Sequence, residues 1–119
     1  HEIANIYYEA FEDCPLATQN QIFGGYSSFH LFPIRINEKD CGKSQKFLYQ
    51  ALISDGVAAN LHYIPVHRHP YYEKIGFKSG DFPESERFHQ EAISLPIFPT
   101  LKLKQQHKVI KSLKEALIK

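Results

Sequence analysis

His62, His67 and His69 stand in the stretch NLHYIPVHRHPYYEKIGF, spaced H-x4-H-x-H and interleaved with Pro65, Pro70, Tyr63, Tyr71 and Tyr72. Imidazoles at that density can ligate a metal, move protons or donate to a bound anion. Zinc needs three or four ligands converging at about 2 Å. His67 and His69, two apart on an extended segment, can share one face. Against a metal, Pro65 and Pro70 stiffen the path, no cysteine lies near, and no HExxH pattern follows. Ordinary hydrogen-bonding histidines are the favoured reading, and no metal is expected.

Other chemistries have less support. Cys14 and Cys41 are far apart and not in a metal-type spacing. Neither adjoins a glycine-rich turn that would expose a nucleophile. They read as two free thiols of a cytosolic protein. FGGYSSFH carries two glycines but lacks the strand–turn–helix context of a phosphate loop, and no GxGxxG is present. With seven Tyr, nine Phe and no Trp, most rings should be core. Tyr71 and Tyr72 sit beside prolines in an expected loop, where binding residues concentrate.

The elements that must position these residues follow from pattern. Ile3, Ile6, Tyr7 and Ala10 recur at helical spacing, and the helix should run to about Asp13 before Pro15 stops it. LATQNQIFGGYSS reads as a loop. FHLFPIRI (29–36) reads as a strand, with Pro33 marking an edge position or a bulge. NEKDCG is a turn. KSQKFLYQALISDG is a helix burying Phe47, Leu48, Ala51 and Leu52, closed by Gly56. VAANLHYIP (57–65) reads as a second strand, which puts His62 on the face of Asn60 and Ile64. HPYYEKIGF is a short helical turn ended by Gly76. Asp81 should cap the next helix, with Pro83 in its first turn. SLPIFPT is a short edge strand or an extended segment. The last helix, about Lys102 to Ile118, should bury Leu103, Ile110, Leu113 and Leu117. The sum is an α+β domain: a small, mostly antiparallel sheet packed by helices.

The chain of 119 residues fits one domain, with 43% hydrophobic and 23% charged residues. A formal net charge of +1 provides no global field for nucleic acid or anionic lipid. Lys102, Lys104, Lys108, Lys111, Lys114 and Lys119 read as the solvated face of the last helix. No apolar run is long enough to span a membrane. The absence of methionine and an opening inside a helical pattern point to a fragment of a longer protein.

HLFPIRI, LISDGVAANLHYIPVHRHPYY and GDFPESERFHQEAISLPIFPTL, in that order, resemble the C-terminal small domain of the DegT-type sugar-nucleotide aminotransferases. These have the aspartate-aminotransferase-like fold. The pattern is most similar to the branch that makes 4-amino sugar nucleotides for pseudaminic acid. The resemblance implies a cytoplasmic, homodimeric parent enzyme. It would use pyridoxal phosphate to carry an amino group from glutamate to a keto-sugar nucleotide. The Schiff-base lysine and other cofactor contacts would lie in a large N-terminal domain. Nothing here matches their context, so the fragment alone should be inactive and hold no cofactor. By position, His62 and Tyr63 match the family's histidine–tyrosine pair facing the substrate, His67 its second histidine, and Tyr71 and Tyr72 its aromatic element. His30 is a further candidate contact; His69 matches nothing. Ser94 is expected to make a local hydrogen bond. The alternative is a stand-alone binding module that reuses the fold.

Overall fold

The computed structural model describes residues 1–118. One antiparallel ladder sets its plan. Strand β2 (Phe32–Arg35) pairs with β3 (Ala92–Leu95), Phe32 lying opposite Leu95, Pro33 opposite Ser94 and Arg35 opposite Ala92. Just beyond, the Ile36 N–H donates to the Glu91 carbonyl at 2.9 Å. Bonded and non-bonded pairs alternate in such a ladder. Ile34–Ile93 is therefore a bonded pair and Pro33–Ser94 a non-bonded one.

That phase accommodates the proline. The Pro33 nitrogen, which has no proton to give, turns away from β3 toward β1 (Ala17–Thr18). The β1 ladder pairs only with Ile34 and Arg35, so it stops before Pro33. The Gln19 side chain, donating to the Leu31 carbonyl at 3.4 Å, takes over there. The expected edge position for β2 is thus corrected: it is the middle strand of β1-β2-β3, although Phe32 and Pro33 lie beyond the β1 ladder. The two residues of β1 fall inside the segment expected to be loop.

Strand β3 is an outer strand of the three-stranded sheet, as expected, but it begins at Ala92 and all four of its residues are buried. Pro96 and Pro99 lie past the end of β3 and interrupt nothing. The second strand expected over 57–65 reduces to a single antiparallel bridge between Asn60 and Ser94. Asn60 N–H donates to Ser94 O at 3.0 Å and Ser94 N–H to Asn60 O at 2.8 Å. The bridge cannot propagate. The next bonded pair on one side would set Ala58 against Pro96, which has no N–H. On the other side it would set His62 against Ala92. There the Ala92 N–H already bonds Phe88 O, and its carbonyl accepts from Gln45 Nε2 at 2.7 Å.

Helices close the core. In α1 (Glu2–Phe11), Ala4, Tyr7 and Phe11 are buried, and the Tyr7 hydroxyl donates to Pro96 O at 2.8 Å. Burial raises that hydroxyl's pKa above the ordinary tyrosine value. NEKDCG forms the single turn α2 (Glu38–Cys41), capped by Asn37 and ended by Gly42 at φ +68°. In α3 (Gln45–Ser54), capped by Ser44 Oγ, Leu48 and Leu52 are buried. Gly56 follows in the left-handed conformation, as its type suggested. Phe47 is exposed instead of buried, with Lys43 Nζ 5.3 Å from its ring centre.

The last helix, α6 (Leu103–Ile118), packs against α1 and α3. Its buried stripe is Gln106, Val109, Ser112, Leu113 and Ala116. Of the four leucines and isoleucines expected inside, only Leu113 is fully buried, Ile110 and Leu117 are half-buried, and Leu103 is 54% exposed. The stripe is rotated because two buried polar residues on it have found partners on neighbouring elements. Gln106 Nε2 donates to Ile3 O at 2.7 Å, and Ser112 Oγ to Asp55 Oδ2 at 2.5 Å. The lysines from 102 to 114 are exposed, as expected; Lys119 lies outside the described residues. The α+β architecture is as the sequence indicated.

The two leucines give a direct check. Leu113→Ala should cost about 2–5 kcal/mol in urea unfolding. Leu103→Ala should stay within about 0.5 kcal/mol of the wild type. Equal losses would mean that α6 is rotated from the orientation described.

Candidate functional site

The histidine block is positioned from two sides. The Asn60–Ser94 bridge fixes its start. Helix α5 (Pro83–Glu91) fixes its course. His89 Nδ1 on α5 donates to the His62 carbonyl at 2.9 Å. The His62 ring is half-buried, and its Nε2 is hydrogen-bonded to Ser94 Oγ. Ser94 does make a hydrogen bond, but with a partner 32 residues away instead of locally, and that partner is the candidate contact residue His62.

The other histidines have partners of their own. His67, on a 3-10 turn (Val66–Arg68), is only 6% exposed. Its Nε2 donates to Glu86 Oε1 at 2.7 Å, and its ring lies 4.9 Å from that of Phe82. His69 Nε2 pairs with the Ile64 carbonyl at 2.9 Å, closing the loop on itself. The three rings do not converge. Among the described residues no group of three or more His, Cys, Asp or Glu side chains could hold a metal ion.

Glu86 was not singled out in the sequence. Its carboxylate gathers three donors: His67, the Gly80 N–H at 2.7 Å and the Ser79 hydroxyl at 3.1 Å. Those hydrogen bonds, His67's foremost, hold the Glu86 carboxyl below the usual glutamate pKa. Asp81 does not cap α5 as expected. Its carboxylate accepts from Lys78 N–H at 2.8 Å, and Phe82 precedes the helix without a side-chain capping bond. Pro83 does stand in the first turn. The His67 partner of Glu86 lies 19 residues away, beyond the reach of any local pattern.

The tyrosines face outward. Tyr63 is 87% exposed and Tyr71 68% exposed. On α4 (Pro70–Lys74), Tyr71 meets Tyr72 edge-on at 5.3 Å. Tyr72, Phe77, Phe82 and His67, with Val66 and Ser85, line a concavity of about 320 Å³. Phe77 and Phe82 were not singled out, although the aromatic density of the region was the available signal. His30 is exposed and lines a different concavity, of about 760 Å³, with Glu2, Phe29 and Phe98. Cys14 and Cys41 are free, half-buried thiols.

A model of the DegT/DnrJ/EryC1/StrS aminotransferase family matches residues 1–114. This chain belongs to that family. The spore coat polysaccharide biosynthesis protein SpsC of Bacillus subtilis (strain 168) is 35% identical over 103 residues, which are 84% of this chain and 26% of SpsC. A pleiotropic regulatory protein of Geobacillus stearothermophilus is 36% identical over 101 residues, with the same coverage of 84% and 26%. Among solved structures, S. venezuelae DesV in complex with a ketimine intermediate superposes with a TM-score of 0.89 at 26% identity, covering 99% of this chain and 31% of DesV. Helicobacter pylori PseC, an aminotransferase involved in the biosynthesis of pseudoaminic acid, superposes at 0.85 with 25% identity, covering 98% and 31%. The chain thus spans a quarter to a third of the length of these DegT-family relatives. PseC, from the branch that the motifs resemble, stands beside DesV at similar identity.

Glu86 gives this loop a pH signature. A carboxyl whose folded pKa is lowered stabilises the fold fully above its unfolded pKa, about 4.3 for glutamate, and loses that contribution as pH falls through the folded value. Glu86→Gln should lower the melting temperature at neutral pH, and the gap from wild type should close on acidification through this range. A gap that stays constant with pH would contradict the role given to its carboxylate.

Proposed function

We propose that this chain is the C-terminal, substrate-side domain of a pyridoxal-phosphate-dependent aminotransferase. Its enzyme would transfer an amino group from glutamate to a keto-sugar nucleotide in cell-surface polysaccharide or amino-sugar biosynthesis, as a cytoplasmic homodimer. The family match over residues 1–114 carries this reading. The SpsC and PseC relationships support the sugar pathway, and the coverage of only 26% to 31% supports a large domain supplied elsewhere in the enzyme.

The residues present do not fit the cofactor. A Schiff-base lysine needs a desolvated pocket or a neighbouring cation to free its amine at neutral pH. Every described lysine except Lys43 is exposed, and Lys43 lies over the Phe47 ring. No step of the reaction is therefore assigned to a lysine of this chain. Its contribution is a wall: His62 as a hydrogen-bond donor to substrate oxygens, and Tyr63, Tyr71 and Tyr72 as exposed aromatic surface. His67 contributes by holding that wall through Glu86, and His30 stands apart in its own concavity.

Two measurements test this. Pyridoxal phosphate titrated into the 119-residue chain should give no aldimine absorbance that saturates at one site; a saturable one would overturn the inactivity of the isolated domain. In the whole enzyme, His62→Ala should raise KM for the sugar nucleotide by about tenfold, the scale of one hydrogen bond to a charged group, with KM for glutamate little changed. An unaltered sugar-nucleotide KM would remove His62 from the substrate site.

A further inference from the structure

We infer that Ser94 is a positioning residue that fixes the tautomer of His62, leaving Nδ1–H as the ring's one outward donor. The functional part of this inference rests on the reading of His62 as a substrate contact; the tautomer itself does not.

Ser94 is 3% exposed, in the most enclosed strand of the sheet. Its N–H and carbonyl are both taken by Asn60. Its hydroxyl has one hydrogen-bonding partner among the described residues, His62 Nε2. A buried hydroxyl proton left without an acceptor is costly. The only arrangement here that satisfies it has Ser94 Oγ–H donating to an unprotonated Nε2. A neutral imidazole with Nε2 as acceptor must carry its proton on Nδ1. No partner for His62 Nδ1 occurs among the described residues.

The backbone of His62 is held as well, since its carbonyl accepts from His89 Nδ1 at 2.9 Å. Asn60 is bridged two residues earlier. The ring is therefore constrained at Nε2 and its chain on both sides. What remains free is one N–H, on a half-buried ring beside the exposed Tyr63. A donor held in this way suits an oxygen acceptor with no proton of its own, of the phosphate or carboxylate class. The opposite tautomer would present a lone pair there and repel the same oxygen.

Nitrogen-15 NMR of the histidine rings in the purified chain reads this directly, with His62→Gln assigning the signal. The expected spectrum has His62 protonated at Nδ1 and bare at Nε2 at neutral pH. Ser94→Ala should abolish that preference, giving a mixed or Nε2–H ring while the other histidine signals stay in place. A wild-type ring protonated at Nε2, or an identical tautomer in Ser94→Ala, would overturn the inference. In the whole enzyme Ser94→Ala should raise KM for the sugar nucleotide by about tenfold, and adding His62→Ala should raise it no further. If the tautomer changes and KM does not, Ser94 still governs His62, and it is the placement of His62 at the substrate that fails.

Discussion

The hydrogen-bond phase of one residue, Ser94, organises much of this domain. Its backbone bonds point away from β2 and toward Asn60 because the ladder between β2 and β3 is non-bonded at that pair. The same phase turns the Pro33 nitrogen out of the ladder, so a proline can occupy a middle strand without an unmet donor. It also brings the 57–65 segment alongside β3, and so delivers His62 to the Ser94 side chain. A one-residue slip between β2 and β3 would place Pro33 in a bonded position and turn every strand residue to the other face. Register is therefore specified by a proline and a serine as firmly as by the hydrophobic pattern.

Around that ladder, buried polar groups choose the packing. Gln106 reaches the Ile3 carbonyl across the chain, Ser112 reaches Asp55, and the Tyr7 hydroxyl reaches Pro96. Each bond adds only about 0.5–1.5 kcal/mol net, but a buried polar group left unpaired costs about 1–3 kcal/mol. Their larger effect is thus on alternatives. Rotating α6 to bury Leu103 would strand Gln106 and Ser112 without partners. The apolar area gained by Leu103 does not compensate two such losses, since a whole leucine is worth about 1.5–3 kcal/mol. Hence the helix sits where its amides and hydroxyls are satisfied, and a leucine stays in water.

This explains which features were legible in the sequence. Local rules worked where the causes were local: Gly56 ending α3, Pro83 opening α5, and the overall mixture of helices and antiparallel strands. They failed where a distant partner decided the outcome. The stripe of α6 was misplaced because hydropathy ranks Gln106 and Ser112 as surface residues. The second strand was overextended because the blocking groups, Pro96 and the already bonded Ala92, come from elsewhere in the chain. Asp81 is the exception: it failed as a cap for a local reason, its carboxylate turning back to the Lys78 N–H. At the site, residue types drew attention to the histidines, Tyr71 and Tyr72, and the family resemblance added Tyr63 and the contact role of His62, but burial and partners separate the exposed tyrosines from the enclosed His67, and these are tertiary facts.

The same logic limits what the histidine block can do. A metal site needs several imidazoles converging on one point, and these three rings do not converge. Nε2 is engaged in each of His62, His67 and His69, by a serine, a carboxylate and a carbonyl respectively. Three separate partners pull the rings apart and make the loop stiff. Stiffness of this kind favours binding over chemistry: a donor already fixed in place loses little freedom when a ligand arrives. On the function proposed above, a domain with one fixed donor and a few exposed aromatic rings would receive a substrate whose reaction is carried out by groups outside it.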